Sequence, residues 1–109
     1  MLEDKHPLVT IGIPTYNRAD GFLKEALQSA VAQTYKNIEI IVSDNCSTDN
    51  TEMIVKNFSD PRIKYVKHDE NIGAINNFNY CLYFNILPDN QSSHKKSGRS
   101  FTIWINNGD

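Results

Sequence analysis

Residues 38–52 read Ile-Glu-Ile-Ile-Val-Ser-Asp-Asn-Cys-Ser-Thr-Asp-Asn-Thr-Glu. The stretch changes character twice. Residues 38–42 form a short β-branched apolar run, the composition of a strand buried on both faces of a sheet. Residues 43–49 are polar and carry carboxylate, amide and hydroxyl groups. Asp49 with Glu52 three residues later has the spacing of a capping box, which predicts a helix running through about Phe58. A buried strand, a carboxylate-bearing loop and a helix start, in that order, make one βα unit. Open α/β sheets deliver ligand-binding acids at the carboxyl ends of their strands.

The pattern extends to both sides. Residues 8–13 (Leu-Val-Thr-Ile-Gly-Ile) are a second apolar run, closed by Pro14. Asp20 is placed to cap a helix whose apolar face is Phe22, Leu23, Ala26, Leu27, Ala30 and Val31. Residues 34–37 end it. Downstream, Asp60-Pro61 marks a turn and residues 62–67 alternate around Ile63, Tyr65 and Val66 as a strand. A loop over 68–71 leads to a third amphipathic helix carrying Ile75, Phe78, Leu82 and Ile86. Residues 101–105 form a last strand, with Trp104 read as core packing. Residues 86–100 are polar and basic, so a flexible loop is expected there. Strands alternating with helices predict an α/β fold: a doubly wound, mostly parallel sheet of about four strands and three helices with right-handed crossovers.

Composition bounds the function. At 109 residues the chain is one domain with a modest core. A net charge of -2 and a pI near 5.9 argue against an electrostatically driven nucleic-acid or membrane-surface binder. The longest apolar runs are too short to span a bilayer. The first residues are charged and lack the apolar segment of a signal peptide. Two distant cysteines, Cys46 and Cys81, fit free thiols in a reducing compartment, so a cytoplasmic location is expected.

A parallel sheet places the loops after its strands on one edge. Residues 14–18, 44–49, 68–73 and 106–109 all fall there. Tyr16 offers a stacking face for a base. Asp44 can accept from a ring N–H, and Arg18 can neutralise phosphate. Asp109 supplies the hard oxygen that Mg2+ or Mn2+ prefers. Each has a plainer reading: Asp49 as a helix cap, Gly73 as a turn residue, Tyr16 as a core aromatic. His6, His68 and His94 show no metal-ligand spacing and read as surface residues.

Four segments in order carry a resemblance. They are residues 9–18 (Val-Thr-Ile-Gly-Ile-Pro-Thr-Tyr-Asn-Arg), 27–35 (Leu-Gln-Ser-Ala-Val-Ala-Gln-Thr-Tyr), 38–49, and 71–79 (Asn-Ile-Gly-Ala-Ile-Asn-Asn-Phe-Asn). Together they resemble the inverting family 2 glycosyltransferases, whose fold is called GT-A. The resemblance implies a Rossmann-like half that binds a nucleotide-diphosphate sugar, a UDP-sugar in the first instance. Pro14, Thr15, Tyr16, Asn17, Arg18, Asp44, Asn45, Ser47, Gly73 and Asn79 would surround the nucleotide sugar. A divalent cation, Mn2+ or Mg2+, would sit on Asp109 with Asn107. That metal site is weakened, because Asn107 and Gly108 stand where relatives carry acids. Phe78 stands where many relatives carry a basic residue.

The family implies inverting transfer of the sugar to an acceptor hydroxyl. No residue of this chain is nominated as catalytic base. The sequence holds nothing after Asp109 to form an acceptor-binding half, so a single truncated domain over 1–109 is expected. Its uncovered sheet edge predicts self-association. The alternative is a non-catalytic nucleotide-binding or interaction module descended from such an enzyme. An unrelated doubly wound protein is the remaining reading.

Overall fold

The computed structural model describes residues 7–84 and 100–104. Strands and helices alternate as β1 (Leu8–Thr15), α1 (Phe22–Val31), β2 (Ile38–Asp44), α2 (Thr51–Lys56), β3 (Ile63–Lys67), α3 (Ala74–Phe84) and β4 (Ser100–Trp104). The sheet order is β3-β2-β1-β4, and all neighbouring pairs are parallel. The α/β architecture is the expected one. Ser100, read as the end of a loop, instead opens β4; the rest of that loop lies outside the described residues, as do Asn107 and Asp109.

From β1 the chain steps outward to β2 and β3, then returns across the sheet to place β4 on the other side of β1. That reversal makes a topological switch point beside β1, where open α/β sheets hold their ligands beyond the carboxyl ends of the strands.

β1 runs through Pro14, which was read as its stop, and ends one residue later at Thr15. Val9 N–H donates to Asn37 O, and Thr15 O accepts from Asn45 N–H, both on the β2 side. Backbone polar groups alternate sides along a strand, so Pro14 turns its missing N–H toward the β4 side. The last described pair there is Gly12 with Trp104. No described ladder bond is lost, which is the condition under which a strand tolerates proline.

Alternation sends Ile11 and Ile13 of β1 and Ile38, Ile40 and Val42 of β2 to one face. They pack with Leu23, Ala26, Leu27 and Ala30 of α1 and Val55 of α2 as the hydrophobic core. Burying each large side chain of this kind contributes about 1.5–3 kcal/mol. The other face of the sheet carries polar side chains around the buried Ile41. Thr10 Oγ1 donates to the buried Glu39 carboxylate at 2.8 Å, and Ser43 Oγ donates to Asn77 Oδ1 at 2.5 Å.

This polar face reverses the reading of α3. Ile75 is 76% and Phe78 41% exposed, whereas Asn77 and Cys81 are fully buried. The helix presents its Asn77–Cys81 stripe inward because Ser43 lies beneath it and the Asn77 amide can answer both Ser43 oxygens, Nδ2 donating to Ser43 O at 3.0 Å. Desolvation pushes the Cys81 thiol up to about 12, so it is held as an unreactive thiol.

The Asp20 cap and the Glu52 half of the capping box are also corrected, while Asp49 Oδ1 does accept from Thr51 N–H at the start of α2 at 3.1 Å. α1 starts after Gly21, whose φ of 148° suits glycine, and Asp20 caps nothing: the N-cap is Gly21 with no side-chain hydrogen bond. α2 has Asn50 at its N-cap and ends at Lys56. Glu52 pairs with Lys56 at 2.9 Å and does not reach back as a capping box requires. Arg62 joins the two layers at the opposite edge: its guanidinium grips Asp60 at 2.9 Å and reaches Val31 O at the end of α1 at 3.3 Å.

Candidate functional site

Three segments leave the carboxyl edge: loop 1 (16–21), loop 2 (45–50) and loop 3 (68–73). Side-chain hydrogen bonds sew them into one surface. Asn17 takes a left-handed φ of 53°, which asparagine tolerates better than most residues. Its N–H donates to Ser47 Oγ at 2.9 Å, and its Oδ1 accepts from Thr48 N–H at 2.8 Å. Ala19 N–H donates to Asp49 Oδ2 at 3.0 Å. Loops 1 and 2 are thus joined at three points.

Loop 2 is joined to loop 3 through the fully buried Asn45. Its Nδ2 donates to Asn71 Oδ1 at 3.0 Å, and its Oδ1 accepts from Ile72 N–H at 2.7 Å. Asn71 Oδ1 also accepts from Gly73 N–H at 2.8 Å. Gly73 has a φ of +90°, so the turn into α3 requires glycine there. Cys46, also left-handed at φ 67°, closes the loop by donating its thiol to Asp69 O at 3.6 Å.

At the centre lies Asp44, 0% exposed. Oδ1 accepts from Ser47 N–H at 2.9 Å and from Ser47 Oγ at 2.6 Å. Oδ2 accepts from the Tyr65 hydroxyl at 2.5 Å. A carboxylate has about four lone-pair positions; three are taken, and at 0% exposure the fourth has no opening to solvent while Tyr65 is in place. The Asp44–Ser47–Asn17 chain of bonds carries the position of a buried β2 carboxylate out to loop 1.

The remaining predicted residues divide. Pro14 and Thr15 are buried in β1, and Tyr16 and Arg18 are half-buried beside the edge. The Arg18 guanidinium carbon stands 5.9 Å from the centre of the Phe22 ring, a cation–π distance. Asn79 is half-buried on α3 and takes no part in the bonds that join the loops. Three participants were not foreseen. Tyr65 was read only as a strand residue. His68, read as surface, has Nε2 2.9 Å from Ser43 Oγ and 3.1 Å from Asn77 Oδ1. Asn77 sits on the helix face opposite the apolar one. The usable signal for Tyr65 was general: a half-buried tyrosine seeks a partner for its hydroxyl.

Asp49 holds loop 1 and the start of α2 together. Burial raises its pKa, but hydrogen bonds from the Thr51 side chain, Ala19 N–H and Thr51 N–H outweigh that and hold it below 3.8. The Arg62 guanidinium likewise holds Asp60 below its ordinary value. A depressed folded pKa gives stability that is present above the unfolded value and lost as pH falls through the folded one. Thermal unfolding midpoints are therefore expected to hold steady from pH 7 to about 5 and decline below about 4. Asp49→Asn should shrink that decline; Asp49 is exposed, so it contributes under about 1 kcal/mol.

Among the described residues, no group of three His, Cys, Asp or Glu side chains is placed to hold a metal ion. Asp44 and Asp49 both have their oxygens engaged by protein donors. The described part of the edge therefore brings together no such group of its own. No described helix is long and apolar enough to cross a membrane.

Comparison with known proteins bears on this edge. A sequence model of the family described as Glycosyl transferase family 2 matches residues 10–84, which include all three loops. An uncharacterized glycosyltransferase of Rickettsia typhi is 46% identical over 72 residues, covering 66% of this chain and 22% of the relative. Succinoglycan biosynthesis protein ExoO of Rhizobium meliloti is 40% identical over 70 residues, covering 64% of this chain and 20% of the relative. The aligned stretch thus spans about a fifth of the length of these curated relatives. Among solved structures, the mannosyltransferase PcManGT from Pyrobaculum calidifontis, in complex with GDP-Man and Mn2+, matches with a TM-score of 0.64 and 30% identity. That match covers 72% of this chain and 24% of the other.

Proposed function

The chain belongs to glycosyl transferase family 2, and from that membership we propose that its carboxyl edge binds a nucleoside diphosphate sugar for transfer to an acceptor hydroxyl. The observation that carries the reading is the bonded set of loops at the switch point, with Asp44 at its centre. Tyr16 stacks on the base, Asn17 and Arg18 lie along the ribose and diphosphate, and Pro14, Thr15, Asn45 and Ser47 hold these groups in place. Gly73 and Asn79 complete the far side.

The base is one with a ring N–H beside a carbonyl, which a carboxylate recognises: uracil at N3 or guanine at N1. A uridine donor fits this chemistry, and so does a guanosine donor such as the GDP-Man bound by PcManGT. In the reaction the acceptor oxygen bonds to the anomeric carbon in line as the bond to phosphate breaks. The nucleoside diphosphate leaves and the anomeric configuration inverts. Mn2+ or Mg2+ on Asp109 and Asn107, both outside the described residues, would offset charge on that leaving group. A general base for the acceptor has no candidate here, so residues 1–109 are read as a donor-binding domain. Self-association falls to the sheet edges, of which β3 is guarded by Lys64 and Lys67. The free thiols Cys46 and Cys81 suit the cytoplasm.

A second reading, binding without transfer, is favoured by Asn107 and Gly108, which lower the charge at the metal motif. Incubating the chain with UDP- and GDP-sugars and Mn2+ separates the two. Release of nucleoside diphosphate supports transfer chemistry; saturable binding with no release supports the second reading.

A further inference from the structure

The Asp44 carboxylate is fully buried and already holds three protein donors, two from Ser47 on Oδ1 and the Tyr65 hydroxyl on Oδ2. A base cannot simply add to it. The Ser47 bonds are part of loop 2 itself, since Ser47 also anchors Asn17. The Tyr65 hydroxyl comes from edge strand β3, on a half-buried side chain that makes no other contact with loops 1 and 2 among the described hydrogen bonds. It is the donor that can leave without dismantling the edge. We infer that base recognition at this site is an exchange, in which a ring N–H takes the place of the Tyr65 hydroxyl on Asp44 Oδ2. Tyr65 is therefore a positioning residue that sets how sharply the site discriminates between bases. The inference rests on the donor-site reading above.

The chemistry fixes the direction of the effect. Burial first, and then the bond to Asp44, raise the Tyr65 pKa, so the phenol is a protonated donor at any biological pH. In the native chain a base N–H replaces a hydrogen bond that already exists, so it gains less than it would on an unsatisfied acceptor. With phenylalanine at position 65, Oδ2 has lost that donor, and a buried acceptor left unsatisfied is costly. The same base N–H then relieves that cost on binding. Uracil has the required N3–H, whereas the corresponding cytosine nitrogen is an acceptor and gains nothing.

The test is calorimetric titration of the native chain and of Tyr65→Phe with UDP and with CDP. The expected result is a ratio of UDP to CDP affinity about tenfold larger in the variant. A residue that merely supports the fold would weaken both nucleotides together and leave the ratio where it was. Binding by both proteins with an unchanged or smaller ratio overturns this inference and leaves the donor site standing. Absence of binding by both overturns the donor-site reading and this inference with it. Should Tyr65→Phe fail to fold, the native chain labelled with 13C at tyrosine Cζ gives the same answer. The Tyr65 resonance is expected to shift with UDP and stay in place with CDP; equal response to both contradicts the exchange.

Discussion

Asp44→Ala is expected to lower the unfolding free energy by about 3–5 kcal/mol, because each of several buried donors left without an acceptor costs roughly 1–3 kcal/mol. The donors are Ser47 N–H, the Ser47 hydroxyl and the Tyr65 hydroxyl. Some of that cost is recovered as the Ser47 hydroxyl and Tyr65 turn toward water, which keeps the total below a simple sum. Against a typical domain stability of about 5–15 kcal/mol, the loss is large enough to see in any denaturant titration. Nucleotide affinity should fall at least about a hundredfold, since both the proposed base acceptor and the Ser47–Asn17 link go together. A stability change under about 1 kcal/mol would mean that Asp44 is not the organising group. Asp44→Asn is an informative companion. It keeps the volume and one acceptor oxygen but turns an NH2 against a donor, so it should be destabilised less than the alanine variant while still losing nucleotide.

The second large effect falls on Asn45. Its side chain is the bridge from loop 2 to both Asn71 and the Ile72 backbone. Asn45→Ala is expected to cost about 2–4 kcal/mol through the buried partners it strands. The damage should be local before it is global. Amide exchange at Ile72 and Gly73 should accelerate far more than at Ile41 or Val42 in the centre of β2, because loop openings occur at lower free energy than core strands. Uniform acceleration at all four amides would show that Asn45 supports the sheet as a whole and does not specifically hold loop 3.

Much of this was legible in the sequence. The buried run 38–42, the αβ alternation and the placement of loops at one edge follow from side-chain periodicity and parallel-sheet geometry alone. The ordered motifs then located Asp44, Asn45, Ser47, Asn17 and Gly73 at that edge. Three things were not legible, each for a physical reason. The apolar stripe of α3 suggested that Ile75 and Phe78 face the sheet. The sheet face it covers presents Ser43, so the polar Asn77 turns in and the apolar pair turns out. Periodicity shows that a helix has two faces but does not show the polarity of what it meets.

The caps were misplaced for a related reason. Asp20 and Asp49 are both good cap residues, yet Gly21 alone accommodates a φ of 148°. Asp49 is held by Ala19 across the loop as well as by Thr51. Its competing partner is distant in sequence and therefore invisible to a local pattern. Tyr65 was missed because its position in a strand explained it sufficiently, and its bond to Asp44 spans two strands.

The central claim is that the carboxyl edge is a nucleotide site reading a base with a ring N–H. The most direct test is calorimetric titration of the chain with UDP and GDP, in the presence and absence of Mn2+, with CDP and ADP as controls. The account predicts saturable heat with UDP or GDP, strengthened by Mn2+, and weaker binding of both controls. No heat with any of the nucleotides, or equal affinity for all of them, would contradict it.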